Sequence, residues 1–325
     1  MRRIALNYYL CFKVEIMSIK VKNITKLYGE QKALDDVSFS IETGEIVGFI
    51  GPNGAGKSTL MKILTGFIPQ SSGECSINEM DILENSLEIR QQVGYLPENN
   101  PLYADMYVKE YLKMVTKIYR KQGSLSKKQA IDDRVKEMIG LTGLEREQHK
   151  KIGALSKGYR QRVGLAQSLI HDPSVLILDE PTSGLDPNQI IEIRNFIAEV
   201  GKKKTVLLST HIMQEVEAIC DRVIIINLGK IVADDSAQKI QSQAINKHQT
   251  IEVEFENQVN GKALKEIHGV VKVKKIDTKH FLLEGQPNRD IRSEIFQWAV
   301  KNKANILELT KREKSMEEVF QELTR

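Results

Sequence analysis

Gly51-Pro52-Asn53-Gly54-Ala55-Gly56-Lys57-Ser58 is the stretch of sequence that decides the fold. It matches the pattern GxxxxGK[ST], follows the apolar run Ile46–Ile50 and precedes a helical run from Thr59 to Leu64. Glycines let successive backbone N–H groups close on phosphate oxygens, and the following helix directs its positive end at them. The flanking strand and helix disfavour an incidental glycine-rich turn. The sequence therefore predicts an α/β fold built around a loop that binds a triphosphate.

Two further acids are expected at the same site. In this loop pattern Lys57 reaches the β- and γ-phosphates and the hydroxyl of Ser58 binds Mg²⁺. The apolar run Val175–Asp179 ends in an acid and is followed by Glu180, which places both acids at the carboxyl edge of a sheet. Asp179 suits the Mg²⁺ shell, and Glu180 can polarise the attacking water as a general base. The alternative is a buried strand with a capping acid, and the position downstream of the phosphate loop favours the site.

Composition narrows the class of protein. The chain has 325 residues, of which 41% are hydrophobic and 28% charged, an ordinary globular balance with room for two domains. The net charge of +4 gives no strong case for a nucleic-acid partner. Cys11, Cys75 and Cys220 have no metal-ligand spacing, which fits a reducing compartment, and no apolar run approaches the roughly 20 residues of a membrane helix. We expect a cytoplasmic protein.

Leu155-Ser156-Lys157-Gly158-Tyr159 resembles the LSGGQ signature of ABC ATPases, and the chain from about residue 19 to 233 resembles their nucleotide-binding domain throughout. Tyr28 matches the aromatic residue that stacks on adenine. The other matching segments are the Q-loop, the D-loop and the switch histidine. They read Gly94-Tyr95-Leu96-Pro97-Glu98, Ser183-Gly184-Leu185-Asp186 and Ser209-Thr210-His211. Each segment alone could be a turn or a packing residue, but their joint order is specific.

This resemblance implies a set of site residues. The nucleotide would be bound by Tyr28, Gly51, Pro52, Asn53, Gly54, Ala55, Gly56, Lys57, Ser58, Thr59, Ser156, Gly158 and Asp186. The catalytic residues would be Glu180, His211 and Glu98, and the Mg²⁺ ligands Ser58, Asp179 and Glu98. Because the signature holds the γ-phosphate of ATP on another subunit, the family dimerises on ATP. His211 would sense whether that phosphate is still present.

Two positions depart from the family pattern. The Q-loop carries Glu98 in place of glutamine, which adds a negative charge near Mg²⁺. The signature carries Lys157 and Tyr159 where glycine and glutamine are usual. It keeps Ser156 and Gly158, the positions closest to phosphate, so we expect an active site.

The chain divides into four predicted segments. We expect Met17 to be the native start, which leaves residues 1–16 as a non-native or disordered extension. Residues 17–235 form the nucleotide-binding domain, a mixed sheet core with a helical subdomain at about 99–165. Residues 236–249 are a polar linker. Residues 250–325 read as strand, helix, strand, strand, helix, strand and a last helix, which predicts a small α+β domain of ferredoxin-like topology.

The tail of the chain resembles export-type (ABC-2) ATPases, and residues 94–103 resemble the gliding-motility-associated subgroup. The resemblance implies an ATPase subunit on the inner face of the plasma membrane that drives a separate permease, as a homodimer or with a related ATPase. The alternative is a soluble ABC ATPase acting on ribosomes or nucleic acid. Its relatives carry tandem domains or a long coiled coil, which this chain lacks. A third hypothesis, compatible with the first, is that the C-terminal domain binds a ligand and gates the motor.

Overall fold

A computed structural model describes residues 17–119, 128–240, 250–286, 289–312 and 316–324. They pack into two compact units, one reaching residue 211 and including 228–230, the other made of 212–227 and the chain from 231 onward. The predicted extension at 1–16 lies outside the described residues, as does 241–249 of the predicted linker. Residues 237–240 of that linker are helical, and Ile240 is buried. The predicted boundary at residue 235 stays a prediction.

An antiparallel sheet opens the first unit. It consists of β1 (Met17–Tyr28), β2 (Gln31–Glu42), β4 (Ser72–Ile77) and β5 (Met80–Asp81), in the order β2-β1-β4-β5. Ile19 and Val21 of β1 are buried, because alternate side chains of a strand face the core. The strand register is irregular between Val21 and Ile24, which allows Ile24 to be buried as well.

A parallel set of four strands positions the site. Its members are β3 (Ile46–Ile50), β6 (Val93–Leu96), β7 (Val175–Asp179) and β8 (Thr205–Thr210). In the order β3-β8-β7-β6 each neighbouring pair is parallel, with Ile50 opposite Thr210 and Asp179 opposite Ser209. Every residue of β3, β7 and β8 is buried, as expected for strands covered on both faces. All four strands therefore end at one edge, where the segments after them meet.

Helices accompany this sheet and form the predicted insert. Those beside the strands are α1 (Lys57–Leu64), α2 (Ser86–Gln92) and α6 (Pro187–Gly201), and those of the insert are α3 (Val108–Ile118), α4 (Lys128–Leu141) and α5 (Lys157–Leu169). The insert is helical, as expected, and α5 extends past residue 165 to Leu169. The expected bounds of the helical subdomain, about 99–165, stay a prediction. Val135 and Met138 of α4 are buried, whereas Ile118 at the end of α3 is 69% exposed.

The second unit begins with α7 (Met213–Ile219), β9 (Arg222–Asn227) and β10 (Lys230–Asp235). Its C-terminal part is β11 (Thr250–Phe255), α8 (Gly261–Leu264), β12 (Val270–Lys275), β13 (His280–Gly285), α9 (Arg292–Lys301), β14 (Ile306–Arg312) and α10 (Met316–Leu323). The sheet order is β12-β13-β11-β14, with antiparallel neighbours throughout. This confirms the expected ferredoxin-like topology.

The core of this C-terminal sheet explains its register. Ile251, Val253 and Phe255 alternate along β11 and are fully buried, and Ile295 of α9 packs with them. Helix α8 is a single turn. Its N-cap is Asn260, whose Oδ1 accepts from the Lys262 backbone N–H over 3.0 Å.

Candidate nucleotide-binding and catalytic site

The phosphate loop lies between β3 and α1, as its sequence predicts. Gly54 and Gly56 have φ of 79° and 112°, in the left-handed region that glycine tolerates best. Gly56 is the N-cap of α1 without a side-chain cap, so the helix start presents bare backbone N–H groups. The Ala55 backbone N–H donates to the Pro52 carbonyl over 3.1 Å and holds the loop closed. A loop of this form binds anions at a helix N-terminus.

Lys57 is buried inside this loop. Its Nζ donates to the carbonyl oxygens of Gly51 and Pro52 over 2.7 and 3.2 Å. Burial lowers the pKa of Lys57, and the negative charges of Glu180, Asp179 and Glu98 act in the opposite direction. An ammonium has three donors, so one remains available for a phosphate oxygen.

Ser209 connects the two acids that follow β7. Its Oγ donates to Asp179 Oδ1 over 2.6 Å and accepts from the Glu180 backbone N–H over 3.0 Å. Asp179 is 2% exposed and Ser209 fully buried. The contact follows from the β7–β8 register, in which Asp179 and Ser209 are partners. Ser209 and Asp179 are 30 residues apart in sequence, so no local pattern predicts this role of Ser209.

Glu180 and His211 form a direct pair. Glu180 Oε2 lies 2.7 Å from Nδ1 of His211, whose side chain is 58% exposed, whereas that of Glu180 is 10% exposed. Glu180 has φ of 51°, a left-handed conformation that costs a non-glycine residue energy and is concentrated at functional sites. Burial raises the pKa of Glu180, against the opposing effects of His211 and Lys57. A carboxylate with a raised pKa is a stronger base, which suits proton transfer.

A cavity of about 670 Å³ joins Ser58, Asp179 and Glu98. Glu98 follows β6, is exposed, and lies close enough to Lys57 and Tyr95 to affect their titration. Burial raises the pKa of Tyr95, with further contributions from Asp179 and Glu98. The three oxygen-bearing residues expected around Mg²⁺ thus line one cavity.

These residues fit a magnesium ion that arrives with its nucleotide. Within the described ranges, no group of three His, Cys, Asp or Glu side chains could hold a metal by itself. Mg²⁺ commonly takes one or two carboxylates and completes its shell with waters and substrate phosphates. A buried carboxylate at Asp179 and a hydroxyl at Ser58 match that requirement.

The signature residues lie at the start of α5. Ser156 is its N-cap, and its Oγ accepts from the Tyr159 backbone N–H over 3.4 Å. A Cβ on Gly158 would lie 2.3 Å from Gln189 Oε1, so the end of the Gln189 side chain of α6 lies directly against this glycine. Asp186 is the N-cap of α6, its Oδ1 accepting from the Gln189 backbone N–H over 3.0 Å. Neither Ser156 nor Gly158 is among the described residues lining the cavity beside the phosphate loop.

Tyr28 ends β1 and is 51% exposed. The ammonium of Lys26 lies over its ring, 5.3 Å from the centroid. The ring is thus surface-accessible, as an aromatic residue that receives a base must be.

A phosphate loop, a buried acid pair and a histidine within reach of the second acid, all at one edge of a parallel sheet, define a P-loop nucleoside triphosphatase. A family model described as ABC transporter matches residues 34–183. A second model, described as AAA domain, putative AbiEii toxin, Type IV TA system, matches residues 151–217.

Known proteins resemble both the sequence and the fold. The bacitracin transport ATP-binding protein BcrA of Bacillus licheniformis is 34% identical over 320 residues, which cover 94% of this chain and 96% of that protein. The probable multidrug ABC transporter ATP-binding protein YbhF of Escherichia coli (strain K12) is 36% identical over 232 residues, 71% of this chain and 39% of that protein. A dimeric structure of a post-hydrolysis state of the ATP-binding cassette MJ0796, bound to ADP and Pi, has 28% identity and a TM-score of 0.61, covering 67% of this chain and 98% of that one.

The chain belongs to the ATP-binding proteins of ABC transporters. It is an ATPase of that class, as the resemblance in the sequence implied, and its α/β cassette fold is confirmed. The relatives favour the transporter over the alternative of a ribosome- or nucleic-acid-directed ATPase. Within the ranges that the structure covers, every helix is too short or too polar to span a bilayer.

Proposed function

We propose that this chain hydrolyses Mg²⁺-ATP in a dimer, formed either by two copies of the chain or by one copy and a related ATPase. Hydrolysis drives export through a separate permease. The Glu180–His211 pair, 2.7 Å apart beside the buried phosphate-loop lysine, carries the proposal. The MJ0796 cassette bound to ADP and Pi is a dimer, which supports the paired arrangement. The similarity to BcrA, named for bacitracin transport, extends over nearly the whole chain and supports export.

In this proposal each residue of the site has a role in hydrolysis. Adenine stacks on the exposed ring of Tyr28, and the glycine-rich loop and Lys57 hold the phosphates. Glu180 orients the attacking water and accepts its proton, and burial of that carboxylate makes it a better base. His211 fixes the Glu180 carboxylate through Nδ1, which leaves its second ring nitrogen for the water or the γ-phosphate.

Magnesium would be held by Ser58 and Asp179, with Glu98 close by, and when bound it would neutralise charge on the phosphates. The Ser209 hydroxyl fixes the Asp179 carboxylate for this task. Glu98 brings a full negative charge where the family has a neutral amide. We expect Glu98→Gln to retain hydrolysis and to change its dependence on Mg²⁺ concentration.

The N-terminus of α5 completes the site of the opposite copy. Ser156 caps that helix and is exposed, and Gly158 allows close approach. A helix start with a hydroxyl and free backbone N–H groups attracts a γ-phosphate. ATP would thus join two copies, and hydrolysis would release them.

The cavity beside Glu98 supports docking of a permease helix. Phe67 lines this cavity and is 74% exposed. Tyr103, two residues after the lining residue Pro101, is 58% exposed. Tyr119 and His171 also line the cavity, with their rings stacked and the ring centroids 4.1 Å apart. Burial lowers the pKa of His171 to about 4, so the imidazole is neutral at neutral pH. A helix seated here would touch Glu98, and through it the metal end of the site. The motor would then lie on the inner face of the plasma membrane.

The proposal is tested with Glu180→Gln and Lys57→Ala. Glu180→Gln should bind ATP, elute as a dimer in gel filtration and hydrolyse at least about 10²-fold more slowly, roughly 3 kcal/mol in the barrier. Lys57→Ala should lose ATP binding, because the buried cation is removed. Glu199→Gln, a matched change at an exposed glutamate, should behave as wild type. Near wild-type turnover in Glu180→Gln would remove the general-base assignment.

Docking is tested by co-purification with the permease in detergent. Phe67→Glu should lose the membrane subunit while the isolated chain still hydrolyses ATP. Val300→Glu, equally exposed but in the C-terminal sheet domain, is the control and should retain the complex. Co-purification with ribosomes or DNA in place of a membrane protein would favour the alternative function.

A further inference from the structure

Lys26 makes two contacts that meet at the expected base site. Its ammonium lies over the Tyr28 ring at 5.3 Å from the centroid, and the same Nζ donates to the Pro69 carbonyl over 2.6 Å. The hydrogen bond fixes the ammonium, so it stays on one face of the ring. A cation at this distance is attracted by the negative face of an aromatic ring.

The chain just before Pro69 is hydrogen-bonded to the end of the phosphate-loop helix. Phe67 and Ile68 both donate their backbone N–H groups to the Lys62 carbonyl in the last turn of α1, over 2.8 and 3.3 Å. Lys26 therefore links the Tyr28 ring to the helix that begins at Lys57.

The backbone that carries Tyr28 is fixed by the same segment. Ser71 Oγ accepts from the Leu27 backbone N–H over 2.9 Å, and the Ser71 N–H donates to the Thr25 carbonyl over 2.9 Å. The main chain on both sides of Lys26 is thus held, whereas Tyr28 itself is half-exposed. The side chain of Tyr28 can still rotate, and the contact with the Lys26 ammonium restrains that rotation.

We propose that Lys26 is a positioning residue for the adenine base: it covers one face of the Tyr28 ring and leaves the opposite face turned to receive the base. This inference rests on the proposed stacking of adenine on Tyr28. Restraining the ring in advance reduces the ordering cost at the moment of binding. Because the restraint reaches α1 through Pro69, ring and phosphate loop keep a fixed spacing.

The test compares affinities of the full chain for Mg²⁺-ADP and for inorganic pyrophosphate by titration calorimetry. Lys26→Gln should raise the Kd for ADP about two- to five-fold, and leave the Kd for pyrophosphate unchanged. That change corresponds to about 0.4–1.0 kcal/mol at 1.4 kcal/mol per tenfold. Lys26→Arg, which keeps a cation and its donors, should restore the wild-type Kd. Lys26→Met, which keeps the aliphatic stem alone, should match Lys26→Gln.

Lys20→Gln is the matched control, since it removes one exposed positive charge from the same strand. It should leave both Kd values unchanged. In a Tyr28→Leu background, Lys26→Gln should have no further effect on ADP. An unchanged Kd for ADP in Lys26→Gln, an equal loss for pyrophosphate, or additive effects with Tyr28→Leu would each overturn the inference. If Tyr28→Leu by itself left the Kd for ADP unchanged, the proposed stacking of adenine on Tyr28 would be refuted as well. The Tyr28→Leu variant therefore distinguishes a failure of the stacking proposal from a failure of the Lys26 proposal alone.

Discussion

Ser209→Ala removes a hydroxyl that joins the two acids of the site. Asp179 Oδ1 loses a donor at 2.6 Å, and the Glu180 backbone N–H loses an acceptor at 3.0 Å. The Glu180 N–H keeps the Ser209 carbonyl at 3.2 Å, so the main loss falls on the Asp179 carboxylate. A hydrogen bond to a charged group contributes about 1.5–3 kcal/mol. The residue is fully buried, so water does not readily replace the hydroxyl.

We expect two measurable effects of Ser209→Ala. The free energy of unfolding should fall by about 2 kcal/mol, which lowers Tm by roughly 4–8 °C for a unit of this size. The Asp179 carboxylate also loses its fixed orientation toward the metal. We therefore expect kcat to fall about 10- to 100-fold, or about 1.4–2.7 kcal/mol in the barrier.

The assay is phosphate release at saturating ATP, alongside thermal unfolding. Ser18→Ala is the matched control, because Ser18 is 2% exposed and its Oγ lies 2.8 Å from Thr205 Oγ1 and 3.1 Å from Thr43 Oγ1. It should lose stability but keep kcat. Ser209→Thr, which retains a hydroxyl, should recover most of the rate. A wild-type kcat in Ser209→Ala, or an equal loss in Ser18→Ala, would refute the role given to this hydroxyl.

Four further outcomes follow from the structure. Burial raises the pKa of Glu180, so kcat should fall with decreasing pH through a pKa above 4.5, and a pH–rate profile of wild type checks it. The neutral form is favoured in the folded state, so the stability gained from it is present at low pH and lost as pH rises through the folded pKa. Glu180→Gln should accordingly unfold at a higher temperature than wild type at pH 8, and the difference should shrink below pH 4.5 in thermal scans. Gly94→Ala places a Cβ 2.2 Å from the Ser168 carbonyl oxygen, a backbone atom that cannot move away without distorting α5. The free energy of unfolding from denaturant titration should therefore fall by about 3 kcal/mol. In Gly158→Ala the new Cβ meets only the flexible end of the Gln189 side chain, so the free energy of unfolding should fall by less than about 1 kcal/mol. The same variant should dimerise more weakly with ATP, as measured by gel filtration.

Much of the fold could be predicted from local pattern. Two segments lie where the sequence predicted them: the phosphate loop between Ile46–Ile50 and a helix, and the apolar strand Val175–Asp179. Glycine spacing, apolar runs and helix caps determine local structure within a few residues, so they can be recognised in the sequence alone. The joint order of the motifs also indicates the ATPase class.

The contacts within the site were decided by strand order and register. Ser209 reaches Asp179, and His211 reaches Glu180, because β7 and β8 are parallel neighbours with Asp179 opposite Ser209. These pairs are about 30 residues apart in sequence, and no periodicity links them. Lys26 meets Pro69 and Tyr28 for the same reason, since the end of α1 returns beside β1. The sequence by itself thus determines which residue types are present at the site. The tertiary structure determines which of them contact each other, because those contacts depend on which strands and helices become neighbours.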